Sequence, residues 1–196
     1  FVSFETGYPV TPSQKPVIDA PEEYWVHSLS MRRADGAEID LTKIGEAFEA
    51  AFVAVWSGLA ENDGFNALVF NAGLFWRKAA LCRALCAYRH QSGLDPARTT
   101  QIEALNSNPI LTQHLMALFK ARFAPEEDPD RDSTCLHLRA AIDEALKAVP
   151  SLDHDRIIRR LANLIMAIQR TNFFQKTPSG APRPFISFKI ASRELA

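Results

Sequence analysis

The chain has 196 residues, with 22 lysines and arginines against 23 aspartates and glutamates, and a formal net charge of −1. Hydrophobic residues make up 47% of it, which is enough to build a buried core. The near-neutral balance argues against a nucleic-acid or membrane partner, since both favour a strongly basic surface. No apolar run approaches the roughly 20 residues of a transmembrane helix. Three cysteines do not form a disulfide framework, so we predict a cytoplasmic protein.

The first 36 residues are predicted to be extended rather than helical. Prolines and glycines interrupt residues 1–23, so no long element is expected there. Residues 24–31 (YWVHSLSM) alternate in polarity and predict a strand, followed by a turn at 34–36. We interpret residues 1–36 as the remnant of a small α+β module.

Residues 37–175 are predicted to form a helical domain of about six helices. Asp40 caps the first helix, which ends at Trp56 with Gly58 as a C-terminal cap. A long helix follows the turn at residues 61–64, with a kink or break at Gly73. Its core-facing positions are Phe65, Leu68, Ala72, Phe75, Ala79 and Cys82.

The later helices are delimited by capping residues and prolines. A capping box at residues 100–103 begins a short helix, and Pro109 opens the next one. A charged loop at 126–134 precedes a helix that begins at Cys135. The last helix begins near Ser151 and extends to Gln175, with Arg156, Arg160, Asn163 and Arg170 on its polar face.

Residues 176–196 are predicted to be a loop followed by a strand at 185–190, which has no obvious partner inside the chain. The predicted fold class is therefore mainly α, a multi-helix orthogonal or bundle-like domain with short β segments at its N- and C-terminal ends.

A metal site is the first candidate for chemistry. Cys82, Cys86 and His90 lie at helical spacing on one face, and Cys135 and His137 could complete a zinc site. Free cysteine is, however, among the most buried residue types, and one helix face rarely supplies three tetrahedral ligands. We therefore predict no metal and interpret the cysteines as core residues.

Two polar clusters are alternatives. Glu61, Asn62 and Asp63 could supply paired carboxylates, but helix capping and turn formation explain them more simply. The basic residues could bind phosphate, or could form a solvated face that pairs with nearby acids such as Asp153, Asp155, Glu126 and Glu127. These basic residues are Arg77, Lys78, Arg83, Arg89, Arg156, Arg159 and Arg160. The stripe of Arg156, Arg160 and Arg170 could also be an interface, since arginine is enriched where proteins meet.

Residues 170–175 (RTNFFQ) combine polar groups with two aromatics whose joint exposure to water would be costly. A docking surface for another domain and an ordinary amphipathic helix end explain them about equally well. No G-x-G-x-x-G follows a strand, so no dinucleotide site is predicted. No Ser-His-Asp set is recognisable either. We assign no catalytic, cofactor-binding or metal residue.

Four ordered blocks resemble one family, the large bacterial NAD-specific glutamate dehydrogenases, in the helical segment that precedes their catalytic domain. They are residues 56–77 (WSGLAENDGFNALV followed by AGLFWR), 117–125 (ALFKARFAP), 151–175 (SLDHDRIIRRLANLIMAIQRTNFFQ) and 184–190 (PFISFKI). The resemblance extends from about residue 25 to the C-terminus.

The resemblance implies a parent enzyme that oxidises L-glutamate to 2-oxoglutarate and ammonia with NAD. Because the chain begins with Phe1 rather than Met, we expect it to be a piece of such a protein. It would be inactive alone, bind no NAD, contact the catalytic domain of its parent chain and contribute to a homo-oligomer. The alternative is a free-standing helical protein-binding or regulatory module without enzymatic activity.

Overall fold

The computed structural model describes residues 40–93, 95 and 97–195, and within them the fold is mainly α, as predicted. The described elements include two strands, β1 (Ile168–Thr171) and β2 (Phe188–Ile190), and two short 3-10 helices, Gly64–Ala67 and Ser192–Glu194. The helices are α1 (Leu41–Trp56), α2 (Leu68–Asn71), α3 (Trp76–Gln91), α4 (Arg98–Ser107), α5 (Pro109–Phe123), α6 (Arg131–Leu146) and α7 (Leu152–Ala167). The strand predicted at 24–31 and the module predicted at 1–36 lie outside the described residues. No helix among the described residues is both long and apolar enough to cross a bilayer.

Helix α1 begins and ends where its local sequence predicts. The Asp40 side chain accepts a hydrogen bond of 3.1 Å from the backbone N–H of Thr42. The helix ends at Trp56, and Gly58 follows with a φ of 73°, a left-handed conformation that glycine adopts without strain. Both ends depend on contacts within a few residues, which is why the sequence alone predicts them.

The long helix predicted after residue 64 is divided into three pieces. A 3-10 turn leads into α2, the chain leaves helical geometry at residues 72–75, and α3 restarts at Trp76. Gly73 has a φ of 60°, which confirms a break at that glycine. The break rotates Phe75 out of the predicted core face, and its side chain is exposed rather than buried.

Two helices begin earlier than predicted. Helix α4 begins at Arg98 with no side-chain cap, so the capping box at Thr100 is wrong. Helix α6 begins at Arg131 rather than Cys135. Arg131 donates hydrogen bonds of 2.8 Å to the carbonyls of Arg122 and Ala124. These bonds fix the start of α6 against the end of α5, a contact that no local pattern indicates.

Helix α7 ends at Ala167, eight residues before the predicted end, and the chain continues as strand β1. Strand β1 pairs antiparallel with β2, so the prediction that the C-terminal strand lacks a partner inside the chain is wrong. The carbonyl of Ile168 accepts a hydrogen bond of 3.0 Å from Arg122 on α5. The carbonyl of Ala167 accepts one of 2.9 Å from the N–H of Ala191. These long-range partners replace the helical bonds that would have extended α7.

The main core lies between α3, α4, α5, α6 and α7. Pro109 occupies the first position of α5 as predicted, and Leu111, Leu115, Leu118 and Phe119 form its buried face. The two-stranded sheet packs on this core through Ile168, Phe188 and Ile190. A two-stranded sheet is marginally stable by itself, so packing against helices is what holds it in place.

Candidate functional site

The cysteines and histidines predicted as candidate ligands do not form a metal site. Cys82 and Cys86 are buried, and the Cys82 sulfur lies 3.8 Å from the sulfur of Met116. His90 and His137 are exposed, whereas the cysteines are buried. Across residues 40–195, leaving aside those whose placement is not described, no group of three or more His, Cys, Asp or Glu could hold a metal ion. Burial raises the pKa of Cys82 to about 12, so its thiol is protonated at neutral pH.

The turn cluster is structural, as the capping interpretation predicts, and it is also an ion-pair network. The Asp63 carboxylate caps the 3-10 turn by accepting a hydrogen bond of 3.1 Å from Phe65 N–H. It pairs with Arg83 and with Arg98, each at 2.7 Å. Burial acts to raise the pKa of Asp63, but the hydrogen bonds and charges of the arginines outweigh it and the pKa is lowered. Asp63 is therefore a fixed anion rather than a general base.

The arginines of α3 and α7 differ in how deeply their acidic partners are buried. Arg159 pairs with Asp155 and Asp143, both at 2.8 Å, which agrees with the solvated-face interpretation. Arg89 and Arg160 instead converge on Asp95, whose side chain is fully buried. The sequence did not indicate Asp95, because it lies in a loop far from Arg160. The two arginines thus hold the α3–α4 connection against α7.

Helix α3 is tied to the C-terminal sheet by Arg77. Its guanidinium donates hydrogen bonds to the carbonyl of Arg183, at 2.8 Å, and to that of Phe173, at 3.3 Å. It also lies 5.0 Å from the centre of the Phe173 ring. Arg77 therefore positions the loop between the two strands and is not free to bind phosphate.

The aromatic pair in residues 170–175 packs inside the chain. The Phe119 ring of α5 lies 5.4 Å from Phe173 and 6.2 Å from Phe174, between ring centres. Both phenylalanines are half-buried against the core. The two rings pack against α5 because α7 ends early and turns them towards that helix, and a docking role for their exposed faces stays a prediction.

A groove on the outer face of the sheet is the candidate site that sequence reasoning missed. Its volume is about 540 Å³. It is lined by Arg170, Thr171, Asn172, Gln175, Arg183, Phe185, Ser187, Phe188 and Lys189. Three of these residues are cations and none is an acid. Of the three cations, only Arg170 was indicated by the sequence. Arg183 lies in a predicted loop, and Lys189 lies in a strand whose partner was not predicted.

Asn172 holds the two walls of the groove together. Its amide nitrogen donates to the carbonyl of Phe185 at 3.1 Å, and its amide oxygen accepts from the N–H of Ser187 at 2.8 Å. The residue is buried, although it is polar. A buried amide with both ends satisfied gives the groove a defined shape.

Comparison with known proteins identifies the class to which the chain is related. Residues 60–125 match the family model described as glutamate dehydrogenase, helical motif 3. Residues 141–196 match the model of the bacterial NAD-glutamate dehydrogenase catalytic domain. The boundary between the two matches includes the charged loop between α5 and α6.

Individual relatives give the same family. The chain is 39% identical over 179 residues to the NAD-specific glutamate dehydrogenase of Pseudomonas aeruginosa and 34% identical over 173 residues to that of Halomonas elongata. Each match covers 88% of this chain and 11% of the relative. The Mycobacterium tuberculosis enzyme is 38% identical over 130 residues, which are 65% of this chain and 8% of the relative. The resemblance to the bacterial NAD-specific glutamate dehydrogenases is confirmed, and the chain spans about a tenth of the length of these relatives.

Proposed function

We propose that this chain is a non-catalytic scaffold segment of an NAD-dependent glutamate dehydrogenase. The parent reaction converts L-glutamate, NAD and water to 2-oxoglutarate, ammonia and NADH, as the names of the relatives suggest. The segment by itself is inactive and binds no NAD, which belongs to the parent enzyme. Its partners are the catalytic domain of the same parent chain and other copies in a cytoplasmic homo-oligomer.

One packing contact carries this proposal. Phe119 lies in the part of the chain that matches the helical motif, and it contacts Phe173, Phe174 and Phe188, which lie in the part that matches the catalytic domain. The two matches therefore share one hydrophobic core. Helices arranged in this way hold the first strands of the catalytic-domain match in a fixed orientation, which is what a scaffold does.

Hydrogen bonds from arginine side chains to backbone carbonyls reinforce the same connection. Arg77 and Arg122 both lie in the helical-motif match, and both donate to carbonyls of the catalytic-domain match. Because the acceptors are backbone carbonyls, these bonds fix the position of the main chain in the catalytic-domain match, whatever side chains it carries. They support a role in orientation rather than in chemistry.

The first experiment tests the isolated chain. The purified 196-residue protein is assayed for glutamate-dependent NAD reduction, and NAD is titrated into it by calorimetry. We expect no turnover and no heat of binding. Turnover by this chain, or saturable NAD binding that inorganic phosphate does not displace, would overturn the proposal.

The second experiment tests docking. The chain is mixed with the separately expressed catalytic remainder of the Pseudomonas aeruginosa relative, and binding and glutamate oxidation are measured. We expect binding that is weakened by F185A, since Phe185 is an exposed aromatic beside the sheet. L136A, which removes an equally exposed side chain from α6, is the matched control and leaves binding unchanged.

A free-standing protein-binding module is the second candidate, and the exposed end of α1 favours it. Trp56 is 83% exposed, and Val53 and Leu59 are 60% and 58% exposed. Large apolar side chains exposed close together in the sequence are typical of protein contacts. If the catalytic remainder does not bind the chain in the mixing experiment, this second candidate is favoured over the scaffold.

A further inference from the structure

The outer face of the C-terminal sheet is shaped by a β-bulge. Ile168 pairs with Ile190, but the next pair is Arg170 with Lys189, so Gln169 is an extra residue in β1. In a regular strand, Arg170 would lie on the same face as Ile168, which is buried. A bulge redirects the side chains that follow it. Here it places the Arg170 side chain on the exposed face, directly opposite that of Lys189.

This cross-strand pair carries two like charges. Residues directly opposite one another in an antiparallel pair have neighbouring side chains, and like charges at such positions repel. Within the described part of the chain, neither Arg170 nor Lys189 forms an ion pair with an acidic side chain. Arg83 of α3 and Arg159 of α7, by contrast, pair with aspartates, which reduces the local positive charge. The Arg170–Lys189 pair instead concentrates it.

A third cation completes the arrangement. Arg183, in the loop between the strands, lines the same groove, and among the described residues that form its walls there is no acid. The loop is fixed from behind, since Arg77 binds the carbonyl of Arg183 and Asn172 binds the carbonyl of Phe185. The three cations are therefore displayed on a braced surface rather than on a loose loop.

We propose that this groove is a binding site for a small molecule that carries two or more oxyanion charges, as phosphate or carboxylate groups. Arg170 and Lys189 bind one charged group between the strands, and Arg183 binds a second from the loop. The volume of about 540 Å³ suits a ligand of this size, since ligand sites commonly occupy roughly 300–1,000 Å³. The exposed ring of Phe185 forms an apolar wall beside the charges. The inference is made for the 196-residue chain alone, in which Phe185 is exposed, and it does not require the proposed scaffold function.

Calorimetric titration tests the site in the 196-residue chain. Inorganic phosphate and succinate are titrated separately against a chloride buffer of equal ionic strength, which separates a phosphate site from a carboxylate site. We expect saturable one-site binding of at least one of them. R170Q/K189Q should weaken that binding by about tenfold or more, because charge-assisted hydrogen bonds are lost.

Two further variants control for folding and for general charge. R156Q removes an exposed arginine of α7 outside the groove and should bind the anion as tightly as the unsubstituted 196-residue chain. K189E replaces the like-charge pair with an opposite-charge pair, so it should raise the thermal midpoint in anion-free buffer and abolish anion binding. The proposal is overturned if neither anion binds saturably, or if R170Q/K189Q binds as tightly as R156Q.

Discussion

Arg160 on α7 donates a hydrogen bond of 2.9 Å to Asp95, which lies 65 positions earlier in the chain. Arg89 at the end of α3 pairs with the same carboxylate at 3.1 Å. The Asp95 side chain is fully buried, and its single carboxylate is the shared counter-ion of the two arginines. The shared carboxylate ties the α3–α4 connection, at Asp95, to helix α7.

Removing the Asp95 charge should therefore destabilise the chain strongly. D95N leaves Arg89 buried without its counter-charge, and breaking a buried pair in this way typically costs about 3 kcal/mol. Urea unfolding followed by circular dichroism measures the change. E144Q removes an acid from an exposed pair with Lys147 and should change stability by less than about 0.5 kcal/mol. If D95N and E144Q are equally stable, the buried Asp95 carboxylate does not stabilise the fold.

Stability should also fall at acid pH through Asp63 and Asp95. Burial acts to raise the pKa of each, but the hydrogen bonds and charges of their arginine partners lower both below the ordinary value of 3.8. The unfolded chain therefore binds protons more readily, so their contribution is complete above about pH 5 and is lost as the pH falls through 3.8 and below. Urea midpoints measured from pH 7 to pH 3 should fall less steeply for D95N than for E144Q. Parallel curves would show that Asp95 does not supply this dependence.

Phe119 should be among the most sensitive core positions. Its ring is fully buried and contacts Phe123 as well as the three aromatics of the C-terminal region. F119A should cost about 3–5 kcal/mol, since the cavity adds to the lost burial. L136A, on an exposed part of α6, is the control for side-chain truncation and should be nearly neutral. Hydrogen exchange at the amides of β2 should accelerate in F119A and not in L136A, because the sheet loses its support.

The thiols should be inert in the folded chain. Burial raises the pKa of Cys82 to about 12, that of Cys86 well above 9.0, and that of Cys135 as well. Reaction with a disulfide reagent at pH 8 requires a thiolate, so all three cysteines should react only as the chain unfolds. The rate of thiol modification is measured in native buffer and in guanidinium chloride concentrated enough to unfold the chain. In the denaturant we expect all three cysteines to react, at least roughly tenfold faster than in native buffer. Immediate labelling of Cys82 in native buffer would show that the α3 face is open.

Much of the helical framework could be predicted from short stretches of sequence. Asp40 caps α1, Ser151 caps α7, Gly73 breaks the helix that contains it, and Pro109 opens α5. Each of these signals acts through a hydrogen bond or a dihedral angle within a few residues. The buried face of α5 follows in the same way from its helical spacing.

The candidate groove could not be predicted in this way. Its cations come from both strands and from the loop between them, and the bulge that brings Arg170 opposite Lys189 exists only when the strands pair. Since a shift of one residue moves a strand side chain to the other face, the sequence of β1 alone does not determine which way Arg170 points.

The sequence by itself determined the mainly α class, most helix boundaries and the family resemblance. Capping, periodicity and motif blocks all depend on residues that are close together in the sequence. The tertiary structure alone decided that α7 ends at Ala167, that β1 pairs with β2, and that Asp95 joins Arg89 to Arg160. Each of those outcomes depends on partners far away in the chain, whose distance in space is set only when the core has packed.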